Sequence, residues 1–247
     1  MGKEKICVAL DADSFEKALD LARRLSPWVG VFRIGYRLFT SEGPRIVKAI
    51  MARGADALLD LNHHDIPSTV LDAAHTALEL GVKMLDIHCL GGAKMMQMLA
   101  KELERESEVT GKRMPLLLGV TVLTSLSDRE LRTDFGVSLP LEGYEVHLAK
   151  LAKDAGMNGV VCSPREITAI RQVCGPDCML VASDIRPAWI DRRDDRQRIT
   201  SSPQAAICAG ADYIVVGRPI IAAKDPEEAA KRLLLELVTS TCNFELK

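Results

Sequence analysis

Two carboxylates bracket an amide in Leu59-Asp60-Leu61-Asn62-His63-His64-Asp65-Ile66-Pro67-Ser68-Thr69. If residues 57–62 form a strand, alternation turns Asp60 and Asn62 to one face and Leu59 and Leu61 to the other. Carboxylates in such a place can hold a cation or crowd an anionic group of a substrate. Asn62 carries no charge and is no acid, so it brings neither electrostatic stabilisation nor a proton to that face. Asp60 therefore needs a cation from elsewhere. Either Arg33, in Phe32-Arg33-Ile34-Gly35, pairs with it, or its pKa rises. A second constellation lies near the C-terminus, in Val215-Val216-Gly217-Arg218-Pro219. Glycine lets a backbone N–H approach an anion closely, and arginine adds a fork of donors suited to phosphate.

The elements that must position these residues are legible as alternating runs. Apolar, strand-like stretches cover 6–12, 29–35, 57–62, 84–89, 116–123, 159–163, 179–184 and 213–218. They are nearly continuous in apolar character, as strands buried on both faces are. Helical periodicity fills 94–106, 143–155, 165–173 and 226–238. Asp13 and Glu16 form a capping pair for a helix running through Leu25, and Pro67 suits the first turn of the next. Eight strands alternating with helices predict an α/β fold, a single (β/α)₈ barrel over residues 1–247, with a doubly wound open sheet as the runner-up. The barrel is preferred because Asp11, Arg33, Asp60, Asn62, His88, Thr121, Ser163, Asp184 and Gly217-Arg218 all fall at or near the ends of strand runs. In a barrel those ends converge on one mouth.

Composition narrows the partners. The 247 residues are 47% hydrophobic and carry a formal charge of -2, which leaves no basic footprint for nucleic acid. No apolar run reaches the roughly 18 residues that a membrane span requires, and the N-terminus does not read as a signal peptide. Seven cysteines without a Cys-x-x-Cys pair suit a reducing cytoplasm; Cys174 and Cys178 are close enough in sequence to pair only in an oxidising setting.

The ordered set of blocks resembles the orotidine 5'-phosphate decarboxylase family. Asp60, Asn62 and Asp65 followed by Ile66-Pro67-Ser68-Thr69 resemble its Asp-x-Lys-x-x-Asp and Ile-Pro-x-Thr signature, with Asn62 in the lysine position. Val8-Ala9-Leu10-Asp11, Phe32-Arg33-Ile34-Gly35, Val120 through Ser125, Ile185-Arg186-Pro187 and Val215 through Pro219 resemble further blocks, in order and over essentially the whole chain. The resemblance implies a cofactor-free and metal-free conversion of orotidine 5'-phosphate to UMP and CO₂. It also implies a homodimer whose sites lie at the subunit interface, Asp65 and Thr69 reaching the neighbour's. Asp60, Asn62 and Asp65 fall on the catalytic positions. Asp11, Arg33, Thr69, Thr124, Ser125, Arg186, Gly217 and Arg218 fall on substrate-binding ones, joined by a phosphate-binding glutamine that either Arg196 replaces or Gln197 restores by a one-residue slip. In the family a lysine stabilises the carbanion left by CO₂ loss and then protonates it. Here the two lysine positions hold Arg33 and Asn62, and Ser183-Asp184 stands where the family has Pro-Gly. The family reaction is therefore expected to be severely impaired or altered. A different, metal-assisted reaction on a nucleotide or sugar phosphate, using Asp11, Asp60, His88 and Asp184, is one alternative, and a non-catalytic nucleotide binder is another.

Overall fold

The computed structural model describes residues 2–190 and 201–239. Its strands are β1 (Ile6–Ala9), β2 (Val31–Gly35), β3 (Asp56–His63), β4 (Met84–His88), β5 (Leu116–Val120), β6 (Gly159–Cys162), β7 (Met179–Ala182) and β8 (Tyr213–Val216). All neighbours pair in parallel, and β1 pairs β8 through Ile6 and Ile214 to close the barrel. The expected (β/α)₈ barrel is what the chain forms. Each strand begins within two residues of its apolar run. Most end earlier, because the polar ends of those runs peel away as loops at the mouth.

Helices fill the connections: α1 (Phe15–Leu25), α2 (Tyr36–Glu42), α3 (Pro44–Met51), α4 (Pro67–Leu80), α5 (Gly92–Thr110), α6 (Asp128–Phe135), α7 (Leu141–Asp154), α8 (Ile167–Cys174), α9 (Pro203–Cys208), α10 (Arg218–Ile221) and α11 (Pro226–Val238). None described is long and apolar enough to cross a membrane. The capping pair expected of Asp13 and Glu16 is corrected: Ser14 is the N-cap, its side chain accepting from the Lys17 N–H at 3.3 Å. Ser14 is the extended residue immediately before the helix, where a short hydroxyl reaches the third N–H. Asp13, one residue too early, pairs with the Lys17 ammonium instead. A reciprocal capping box occurs at α6, between Ser127 and Glu130. Cys174 and Cys178 are buried free thiols.

Two apolar layers hold the barrel. The larger lies between strands and helices and includes Val8, Phe32, Ile34, Leu59, Leu85 and Ile87. The smaller fills the barrel itself with Cys7, Val31, Leu58, Met84, Leu118 and Val181. At Gly159 a side chain would run into the Met179 carbonyl at 2.0 Å, so only glycine lets β6 and β7 approach there. The inner layer positions the site. Counting two residues onward from its members, by strand alternation, gives Arg33, Asp60 and Asp86 as the next inward side chains on β2, β3 and β4. The apolar plug is thus capped on one side by three ionisable groups.

Candidate active site

That polar layer floors a cavity of about 670 Å³ at the barrel mouth, within the roughly 300–1,000 Å³ range of small-molecule sites. Asp11, Lys17, Arg33, Asp60, Asn62, Asp86, Thr124, Asp184, Arg186, Gly217 and Arg218 all line it. The structure therefore brings together most of the residues singled out from sequence. Ser125 is exposed and lies outside the cavity wall, as do Asp65 in the β3–α4 connection and Thr69 in the first turn of α4. Gln197, Arg196 and the charged run 191–195 lie outside the described residues.

The β3 end departs from simple alternation. Its ladder with β4 runs through Leu58–Met84 and Leu59–Leu85, breaks, and resumes at His63–Ile87. Four residues of β3 thus advance against two of β4, which is a bulge. Asn62 absorbs it with a φ of 43°, in the left-handed region. Asparagine tolerates that region better than most side chains. Among the described residues the only other non-glycine with positive φ is Asp184, also on the cavity wall. Strained backbone gathered at one cavity is a pattern of functional sites.

Asp86 makes the bulge possible. Its Oδ1 accepts the N–H of Leu61 at 3.0 Å and of Asn62 at 2.8 Å, donors that the broken ladder leaves over. Asp86 is fully buried, and its Oδ2 meets no donor. Burial, then the charge of Asp60 and a hydrogen bond with it, push the Asp86 carboxyl well above the usual range, against the pull of the Asn62 N–H and Arg33. Sequence reasoning passed over Asp86. Its signal was a lone acid at an inward position of an otherwise apolar strand.

Asp60 takes the first of its two expected routes. The Arg33 Nε donates to Asp60 Oδ2 in an ion pair at the cavity floor. Burial works against the Arg33 charge, but Asp60 outweighs it and raises the guanidinium pKa further. Asn62 Nδ2 donates to Asp60 Oδ1 at 3.0 Å. His63 is half-buried, its Nδ1 lying 3.1 Å from the Asp86 carbonyl oxygen, and burial lowers its pKa. The quartet weighed for a metal does not assemble. Asp11, Asp60 and Asp184 line the cavity, whereas His88 lines a separate apolar pocket with Leu90, Leu126 and Phe135. There its ring stacks on His64, and its Nδ1 accepts from the Leu90 N–H.

Across the cavity the wall is suited to an anion. Arg186 is buried and its Nη1 donates to the Ile185 carbonyl at 3.0 Å, while Arg218 is exposed at the start of α10. A methyl group at Gly217 would meet only Ala9 and Asp11, at ordinary contact distances. Packing does not demand the glycine, and its bare backbone leaves close approach open to a ligand.

Residues 4–233 match the Orotidine 5'-phosphate decarboxylase / HUMPS family. The chain is 43% identical over 235 residues to an orotidine 5'-phosphate decarboxylase of Moorella thermoacetica, covering 95% of this chain and 92% of that one. It is 46% identical over 239 residues to that of Syntrophotalea carbinolica, covering 96% of each. The crystal structure of orotidine 5'-phosphate decarboxylase from Lactobacillus acidophilus superimposes with a TM-score of 0.82 at 35% identity, covering 94% of this chain and 98% of the other.

Proposed function

Because the chain belongs to the orotidine 5'-phosphate decarboxylase family, we propose that its barrel mouth binds a pyrimidine nucleoside 5'-monophosphate. In this reading Gly217, Arg218 and Arg186 take the phosphate side. Thr124, Asp11 and Arg33 contact the nucleoside, and the acid floor faces the reacting carbon. The reaction is that of pyrimidine nucleotide biosynthesis, orotidine 5'-phosphate to UMP and CO₂, and it runs slowly. The observation that carries this is the Asn62 amide bonded to Asp60, where the resemblance places an ammonium. General acid catalysis and electrostatic stabilisation each supply several kcal/mol of barrier lowering, and an amide supplies little of either. Asp65 and Thr69 are exposed and outside their own cavity, which suits a homodimer in which they serve the neighbour's site. A cytoplasmic location completes the reading.

A second reading has one specific observation behind it. Asp184, strained at a φ of 57°, adds a carboxylate to the cavity wall. That charge disfavours the carboxylate of orotate and would suit another phosphorylated ligand.

Calorimetry with UMP, followed by single-turnover decarboxylation of orotidine 5'-phosphate, tests the proposal. UMP is expected to bind, and Arg218→Ala to weaken it at least about tenfold, since a charge-assisted hydrogen bond contributes about 1.5–3 kcal/mol. Decarboxylation is expected well below the roughly 1–10³ per second of ordinary enzymes. Absence of UMP binding at millimolar ligand overturns the nucleotide reading. An ordinary rate overturns the decisive role of Asn62.

A further inference from the structure

The geometry points to Asp86 as the group that protonates the substrate carbon in this cavity, the task that Asn62 cannot perform. The inference rests on the decarboxylation reading above. Its starting point is the asymmetry of the Asp86 carboxyl. Oδ1 is committed to the two backbone N–H groups of the β3 bulge. Oδ2 is buried, meets no donor, and belongs to a side chain on the same cavity wall as Asp60 and Asn62.

The other proton-bearing groups nearby are poorer candidates. Arg33 does not give up its proton. Cys162 on the same wall is kept a thiol by burial. Lys17 is exposed and paired with Asp13. His63 is kept from charging by burial, and its Nδ1 is engaged with the Asp86 carbonyl. Tyr36 is made a weaker acid, first by burial and then by the charges of Asp86 and Asp60. Asp60, Arg33, His63 and Tyr36 are the ionisable groups around Asp86. Among them one cation, Arg33, serves two carboxyls. Two neighbouring acids cannot both ionise cheaply, so Asp86 retains a proton beside the Asp60–Arg33 pair.

In the step itself, the bond between the ring carbon and its carboxylate breaks and CO₂ departs. The electron pair stays on the ring carbon and takes the proton from Asp86 Oδ2. Asp86, now a carboxylate, recovers a proton from water, so one proton is consumed for each CO₂ released.

Asp86→Asn separates this role from bulge capping, because the asparagine oxygen still accepts both backbone N–H groups. The variant is expected to bind UMP within about threefold of the unsubstituted protein and to lose at least roughly 100-fold of its single-turnover rate. Exchange of the UMP ring proton with deuterated water, followed by NMR, reads the same transfer in reverse and needs no net decarboxylation. The unsubstituted protein is expected to exchange it and Asp86→Asn not to. The pH profile of the unsubstituted protein is a readout that needs no variant. Rate and exchange should fall as pH rises through the elevated Asp86 pKa, and rate and exchange that do not fall anywhere up to the pH at which the protein unfolds overturn the assignment. So does an Asp86→Asn protein that keeps its rate, or an unsubstituted protein that binds UMP yet shows neither turnover nor exchange. Failure to bind UMP at all removes the nucleotide reading and this assignment together.

Discussion

The barrel holds two buried acid pairs, and they have been put to different uses. Asp60 and Asp86 meet at the floor of the mouth. Glu145, on α7, and Glu166, just before α8, meet behind β6, where the Ser163 hydroxyl donates to Glu166. Burial, then the charge of Glu166 and a hydrogen bond with it, hold the Glu145 carboxyl up at about 9. Each pair therefore keeps a proton that an exposed carboxyl would have lost. Among the described residues, only the first has a cation hydrogen-bonded to it, a bulged strand bonded to one of its oxygens, and a cavity wall to face. The glutamate pair feels Arg165 only as a charge without an ion pair, and neither residue lines the mouth. A perturbed acid is a common product of packing. What turns one into a candidate reactive group is backbone strain and ligand access at the same place.

The largest effect expected comes from supplying the missing ammonium. Asn62→Lys should place it beside Asp60 and Asp86 and raise decarboxylation by orders of magnitude in a steady-state assay. It should also cost about 1–2 kcal/mol of stability, since lysine suits the left-handed backbone at 62 less well than asparagine. An unchanged rate with UMP still bound would show that the cavity has been rebuilt for another ligand, and the Asp184 reading would gain.

Removing the cation comes next. Arg33→Met leaves Asp60 without its ion-pair partner on the cavity floor, and a loss of about 2–3 kcal/mol is expected in urea unfolding at neutral pH. A negligible loss would mean that the two acid pairs are alike after all and that neither depends on a cation.

The smallest effect belongs to the sealed pair. Between the ordinary glutamate value of 4.5 and about 9, the unfolded chain has given up the Glu145 proton while the folded one retains it. The folded state then binds more protons, so stability from this residue falls as pH rises across that window. Glu145→Gln needs no proton and can donate to Glu166. It should stabilise the protein by about 1–2 kcal/mol at pH 7, more at pH 8, and not at all below the unfolded glutamate value. Thermal unfolding across pH checks this, and a gain independent of pH would refute the shared proton.

Sequence by itself determined the barrel and most of the mouth. Apolar runs and turn signals are local, and strand alternation carries an inward position forward two residues at a time, which is why Arg33, Asp60 and Gly217 could be placed from spacing alone. Ser14 displaced Asp13 as the α1 cap because a cap depends on the backbone angle of one residue, which composition does not reveal. Tertiary structure alone decided what surrounds Asn62. The β3–β4 bulge arises from the register between two strands, and neither strand's own sequence records it. Asp86 reads as one acid in an apolar strand until that register brings its carboxyl to the Leu61 and Asn62 N–H groups and close enough to Asp60 to feel its charge. A proton held on a buried acid is a property of its neighbours in space, and those neighbours come from two other strands, β2 and β3.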